Sequence, residues 1–155
     1  MHPRFASAIE RLHPSFEALL AMYPAKPLAL QEPVPKAGIY LLSEGGSHLY
    51  VGRSNRIKIR LGNHCRPGAS DRMAAFAFRL ARIESGRLKA TYKPEGSRAD
   101  LMRDATFVAA FDAAKARIRS MDVRYVEETD PTRQALLEIY VAMALATPHN
   151  DFDTH

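Results

Sequence analysis

Gly38-Ile39-Tyr40-Leu41-Leu42-Ser43-Glu44-Gly45-Gly46-Ser47-His48-Leu49-Tyr50-Val51-Gly52 is the stretch whose reading decides the fold. Two short β-type runs, Ala37–Ser43 and Ser47–Gly52, flank a glycine-rich joint and read as a hairpin. A two-residue loop at Gly45-Gly46 sets Tyr40 opposite Val51 and Leu41 opposite Tyr50, which mixes apolar and polar groups on both faces. A three-residue loop, Glu44-Gly45-Gly46, pairs Tyr40 with Tyr50, Ile39 with Val51 and Leu41 with Leu49. One face is then aliphatic, and the other carries Gly38, Tyr40, Leu42, His48, Tyr50 and Gly52. A one-residue slip inverts the faces of a strand, so the hydrophobic pattern favours the second arrangement. Three-residue loops commonly end in a left-handed glycine, which suits Gly46. Both tyrosines are therefore expected on one face, beside two glycines that leave room. A plain cross-strand aromatic pair is the simplest use of such a placement.

Outward from the hairpin, Ser54 or Asn55 caps a helix over about 56–65. Upstream, Phe5, Ile9, Leu12, Phe16, Leu19 and Leu20 mark an amphipathic helix over 4–22, which Pro14 kinks or splits. Pro24, Pro27, Pro33 and Pro35 make 24–36 an extended connector. Downstream, Asp71 caps a helix with Met73, Phe76, Ala77, Leu80 and Ile83 on one face. Leu88–Lys93 is a possible strand. A capping-box pattern at Ser97–Asp100 opens a helix to about Arg119, striped by Phe107, Val108, Phe111, Ala114 and Ile118. Asp122–Val126 reads as a strand. Asp130 and Pro131 then start a helix that runs to about Ala146. The tally is an α/β (α+β) chain with one small sheet.

The 155 residues suit one domain, and 46% hydrophobic content is ordinary for a globular chain. Met1-His2-Pro3-Arg4 is not followed by an apolar stretch, so no signal peptide is expected. Glu138 interrupts the longest apolar run, Ala135–Ala146, which is too short to span a bilayer. Cys65 is the sole cysteine, so the chain holds no internal disulfide and no cysteine-built zinc site, and a reducing cytoplasm fits it. The net charge is +5, unevenly spread: residues 53–103 carry 13 Lys/Arg against 4 Asp/Glu, a net of +9, and the remainder 9 against 13, a net of −4. A basic middle in an acidic frame suits a polyanion, or a solubilised surface on which the charges even out.

Gly38-Ile39-Tyr40, nine intervening residues, Tyr50-Val51-Gly52 and then a basic helix resemble the GIY-YIG nuclease superfamily. The resemblance covers about 36–65 and 121–152. It leaves 1–35 as an N-terminal helical extension and 66–120 as a basic helical insertion. It implies a three-stranded antiparallel sheet flanked by helices, with Asp122–Val126 as the third strand. It places an arginine on the helix after the second tyrosine, which Arg60 fits, and in some members a histidine one turn later, which His64 fits. Arg56, Arg60 and His64 fall at i, i+4 and i+8 on one helix face, and Ile57, Leu61 and Cys65 form the neighbouring stripe. A glutamate that binds metal is matched by Glu138, the one charge in its apolar run. Such a carboxylate needs a cation or strong donors, supplied by a metal or by an arginine partner. Asn150 matches the asparagine that follows this helix in several members, where its amide can fix the site. Val51 in place of isoleucine is a mild departure.

The activity implied is metal-dependent hydrolysis of DNA phosphodiesters. Tyr40 or Tyr50 would serve as general base and Arg60 would clamp the scissile phosphate. His64 would support the base or donate to the phosphate, Arg53 and Arg56 would bind substrate, and Glu138 would hold Mg2+ or Mn2+. The alternatives are a non-catalytic nucleic-acid-binding module on the same fold, or a partner-binding domain in which the tyrosines only pack. Monomer and homodimer both remain open.

Overall fold

The computed structural model describes residues 1–87 and 94–152, so the possible strand at Leu88–Lys93 lies outside the described residues. Along the chain run α1 (Pro3–Ile9), α2 (Leu12–Ala21), β1 (Gly38–Glu44), β2 (Ser47–Ser54), α3 (Ile57–Cys65), α4 (Ala75–Glu84), α5 (Arg98–Leu101), α6 (Ala105–Arg119), β3 (Asp122–Glu127) and α7 (Pro131–Leu145). The fold is mixed α/β, with a three-stranded antiparallel sheet in the order β2-β1-β3. Among the described residues no helix is long and apolar enough to cross a membrane. The chain divides into two compact units, one of Met1–Arg60 with Met121–His155 and one of Leu61–Ser120.

In the first unit, the hairpin reaches the expected faces by an unexpected route. The loop is Gly45-Gly46 alone, with Glu44 paired to Ser47. Both glycines have positive φ, 56° and 81°, as tight two-residue hairpin loops require. By itself that loop gives the mixed faces that the hydrophobic pattern disfavours. A bulge in β2 corrects it: Ser43 pairs with His48 but Leu42 pairs with Tyr50, leaving Leu49 as the extra residue. The three-residue loop is thus overturned, and Tyr40 faces Gly52 rather than Tyr50. Both registers differ by two residues, so Tyr40 and Tyr50 still share a face. His48 does not share it. The bulge moves it to the side of Ser43, whose Oγ lies 2.7 Å from His48 Nδ1.

The aliphatic face, with Ile39, Leu41 and Val51, packs on Leu12, Leu19, Leu137, Val141 and Ala142 from α2 and α7. Each fully buried aliphatic side chain here contributes about 1.5–3 kcal/mol of burial free energy. The helix expected over 4–22 is two helices that part at Glu10-Arg11. Pro14 sits in the first turn of α2, where its missing N–H interrupts no helical bond. Asp130 caps α7, its Oδ1 accepting from the Arg133 N–H at 2.8 Å, and Pro131 takes the first helical position.

A neighbouring segment bonds each sheet edge locally. On β3, Ala25 from the proline-rich connector exchanges backbone hydrogen bonds with Val123 at 2.9 and 2.8 Å. On β2, the segment after α7 donates the His149 N–H to the Leu49 carbonyl at 3.2 Å. The Asn150 side chain then bonds Val51 on the same edge.

In the second unit, Phe76, Phe78 and Leu80 of α4 are buried, as are Phe107, Phe111 and Ile118 of α6. The Phe78 and Phe107 ring centroids are 5.1 Å apart. Two expectations fail here. Asp71 does not cap α4, which begins after Ala74 with no side-chain cap; its carboxylate instead faces Arg98 at 3.7 Å. The helix expected from Ser97 to Arg119 is broken. Ser97 caps only the single turn α5, and Asp104 restarts the chain by accepting from the Thr106 and Phe107 N–H groups. Lys115 is buried, its ammonium donating to the Pro67 and Ala69 carbonyls at 2.7 and 3.1 Å beside Asp112.

Candidate active site

The site grows out of the first unit's second sheet face. Tyr40 on the central strand lies between Gly52 of β2 and Tyr125 of β3. Its phenol occupies the space that a side chain at position 52 would fill: a Cβ on Gly52 would collide with the Tyr40 ring and hydroxyl. A Cβ on Gly38 would run into the Val126 carbonyl oxygen of β3. The two tripeptide glycines therefore have different tasks, one admitting a neighbouring strand and the other the Tyr40 phenol. Gly52→Ala is expected to cost about 1–3 kcal/mol of stability as an overpacked position. In a Tyr40→Ala background the same substitution should cost far less, which a double-mutant cycle of thermal melts would read. Equal costs in both backgrounds would contradict the packing described.

Tyr40 is fully buried and Tyr50 half-buried, with ring centroids 6.4 Å apart. The Arg60 guanidinium is hydrogen-bonded to both phenol oxygens, and a further hydrogen bond joins the two hydroxyls. Burial pushes both phenols above the usual tyrosine range, the Glu138 charge adds to this, and Arg60 pulls both back. Glu138 stands next to Leu137, which α7 buries in the core, and keeps 20% of its side chain exposed. Burial raises its carboxyl, and Arg53, whose Nε donates to Oε2 at 3.0 Å, opposes that.

Tyr40, Tyr50, Arg60, Glu138 and Arg53 are thus brought together, drawn from β1, β2, α3 and α7. Arg53, expected on substrate, is the ion-pair partner of Glu138. Arg56 is exposed at the entry to α3, its N–H held by Ser54 Oγ at 2.9 Å. His64 belongs to the second unit, fully buried and edge-on to Phe76 at 6.3 Å. The basic row Arg56, Arg60, His64 is therefore no single exposed face. His64 joins Ile57, Leu61 and Cys65 in the buried stripe of α3, at helical spacings. Asn150 spends its amide on the backbone next to Tyr50: Oδ1 accepts from the Val51 N–H at 2.9 Å and Nδ2 donates to the Val51 carbonyl at 2.7 Å. Its Oδ1 also accepts from Thr147 Oγ1 at 2.7 Å. Thr147 escaped the sequence reading, because a threonine just past a helix end carries no distinctive signal.

Among the described residues no group of three or more His, Cys, Asp or Glu side chains gathers to hold a metal. A lone, partly exposed carboxylate does not form a protein cage. It fits a hard divalent cation that keeps most of its waters and takes other oxygens from a substrate. No family model matches this chain, and neither a curated protein nor a solved structure matches it.

Proposed function

We propose that this chain is a metal-dependent DNA endonuclease of the GIY-YIG type, acting in the cytoplasm. The observation that carries the reading is one guanidinium bonded to two tyrosine hydroxyls from different strands, with a carboxylate in electrostatic reach of both. A structural aromatic pair needs neither group.

In this reading Arg60 binds the scissile phosphate and stabilises the charge that develops on it. Tyr50, the more exposed phenol, accepts the proton of the attacking water. Tyr40, sealed over Gly52, holds Tyr50 and Arg60 in place. Asn150 fixes the β2 backbone on which Tyr50 stands. Glu138 would hold Mg2+ or Mn2+, which supplies Lewis-acid polarisation of the phosphate when bound. The purified chain should nick or linearise plasmid DNA with Mg2+ and leave it intact with EDTA.

The phenols also set a pH dependence. A free tyrosine titrates near about pH 10, and both tyrosines lie above that. The active base is the deprotonated form, so the single-turnover rate should climb steadily from pH 6 to pH 9 without a plateau. A rate that levels off near neutrality would exclude a phenol as the base.

The alternative, a non-catalytic nucleic-acid-binding module on this fold, is favoured by one observation. The Arg53–Glu138 ion pair gives the carboxylate a cationic partner without a metal.

A further inference from the structure

Within the first unit, the outer edge of β3 is an unfinished ladder. Alternate residues of a strand turn their N–H and C=O groups to opposite sides. The Glu128 N–H donates to the Ala37 carbonyl at 3.1 Å, so Arg124, Val126 and Glu128 turn their backbone toward β1. Val123, Tyr125 and Glu127 turn theirs outward, and Val123 exchanges both of its bonds with Ala25. Continued in that register, the connector would bring Tyr23 beside Tyr125. It stops short, because α2 ends at Met22, and the Tyr125 N–H meets the Met22 sulfur at 3.2 Å. A thioether is a weak acceptor. The Tyr125 carbonyl and both backbone groups of Glu127 have no hydrogen-bond partner among the described residues. Tyr125 and Glu127 line a cleft of about 700 Å³, whose other walls are the end of α2 and the proline-rich connector. Tyr23, on the α2 wall, is 78% exposed, a large aromatic left uncovered.

We infer that this cleft takes an extended segment of a partner polypeptide, which adds antiparallel to β3 with a basic residue opposite Glu127. A row of open donors and acceptors at strand spacing is matched by another peptide backbone, and strand addition to an open edge draws its affinity from those bonds. Ala25 already makes the first antiparallel rung. Side chains of the added strand alternate between two sides. One side meets Val126, which packs on the aliphatic core, and suits an apolar residue. The other side meets Glu127. Of the charged groups along the cleft, Glu32 is paired with Lys58 and Lys36 stands on the connector wall, which leaves Glu127 as the charge beside the open backbone groups. Glu127 is exposed and has no ion-pair partner among the described residues, so Lys or Arg suits that side. A cleft of this size holds a few residues of extended chain and not a folded domain. A second copy of the sheet is a poorer occupant, since the Ala25 rung obstructs both edges and the copy brings another Glu127. The inference stands apart from the proposed cleavage chemistry.

The test is amide hydrogen exchange, read by NMR on the full chain, alone and with the end-blocked peptide Lys-Val-Lys-Val-Lys. In the free chain the Glu127 N–H should exchange at least about tenfold faster than the Val126 N–H, which faces β1. The peptide should bind saturably and slow the Glu127 exchange. In the antiparallel register the lysines turn their N–H groups toward β3 and the valines turn theirs away. N-methylation of the lysine nitrogens should therefore abolish binding, and N-methylation of the valine nitrogens should spare it. Glu127→Pro removes the outward N–H at an edge position that tolerates proline, and should weaken the unmodified peptide about three- to tenfold. Glu127→Lys should weaken it about two- to fivefold and improve binding of Glu-Val-Glu-Val-Glu. Should Glu127→Pro melt early, Glu127→Lys and the two N-methylated peptides decide the matter. A Glu127 N–H as protected in the free chain as that of Val126 overturns the inference. So does equal or reversed binding of the two N-methylated peptides, or a wild-type affinity in folded Glu127→Pro or Glu127→Lys.

Discussion

Arg60→Ala should slow DNA cleavage by at least about 10²–10³-fold, the usual effect of removing one preorganised donor to a reacting oxyanion. Duplex binding in EDTA should fall far less. The proposed effect is large because Arg60 would have three tasks at one point: clamping the phosphate, drawing both phenols down toward ionisation, and bonding the hydroxyl of the fully buried Tyr40. The last task predicts a stability loss as well, about 1.5–3 kcal/mol for a lost bond to a charged donor, with the Tyr40 hydroxyl keeping its bond to Tyr50. Arg60→Lys separates the tasks. It keeps a cation beside the phenols but cannot fork to two oxygens and a phosphate together, so stability should recover more than the cleavage rate. Arg60→Ala cleaving at the wild-type rate would remove Arg60 from the chemistry.

Glu138→Gln should abolish cleavage to a comparable extent and leave the fold intact or firmer. Burial raises the Glu138 carboxyl above its ordinary value, more than Arg53 lowers it. A carboxyl raised in the folded state favours its protonated form there. Its contribution to stability is present at low pH and is lost as pH rises through the folded value. At neutral pH the charged Glu138 is therefore a burden on the fold, and the neutral amide should melt no earlier. A purely structural Arg53–Glu138 ion pair predicts the reverse, a lower melting temperature with no change in any activity. Cleavage at the wild-type rate by Glu138→Gln would show that the carboxylate holds no catalytic metal.

The sequence made the membership of the sheet faces more legible than the route by which the chain reaches them. Alternation of Ile39, Leu41 and Val51 against Tyr40 and Tyr50 fixes which residues share a face, because the aliphatic set must reach the core of α2 and α7. It does not fix how the chain achieves that parity. A three-residue loop and a two-residue loop with a bulge are equivalent in parity, and nothing in Ser47-His48-Leu49 marks Leu49 as the bulged residue. The same bulge carried His48 to the opposite face. Helix α7 was legible end to end because Asp130 and Pro131 act locally. The break between α5 and α6 was not, since the helical periodicity of the apolar residues continues across it while Asp104 competes as a second cap. His64 shows the limit of a row at i+4 spacing: Arg56, Arg60 and His64 are aligned, yet burial of Ile57, Leu61 and Cys65 turns the last of them into the interior.

The decisive measurement is the single-turnover rate at which the purified chain cuts an end-labelled duplex in Mg2+, with Arg60→Ala and Glu138→Gln run alongside and binding checked in EDTA. The account predicts shortened products from the wild-type chain only, with both variants binding the duplex but leaving it intact. A duplex that wild type binds and never cuts, or that all three proteins cut alike, would contradict it.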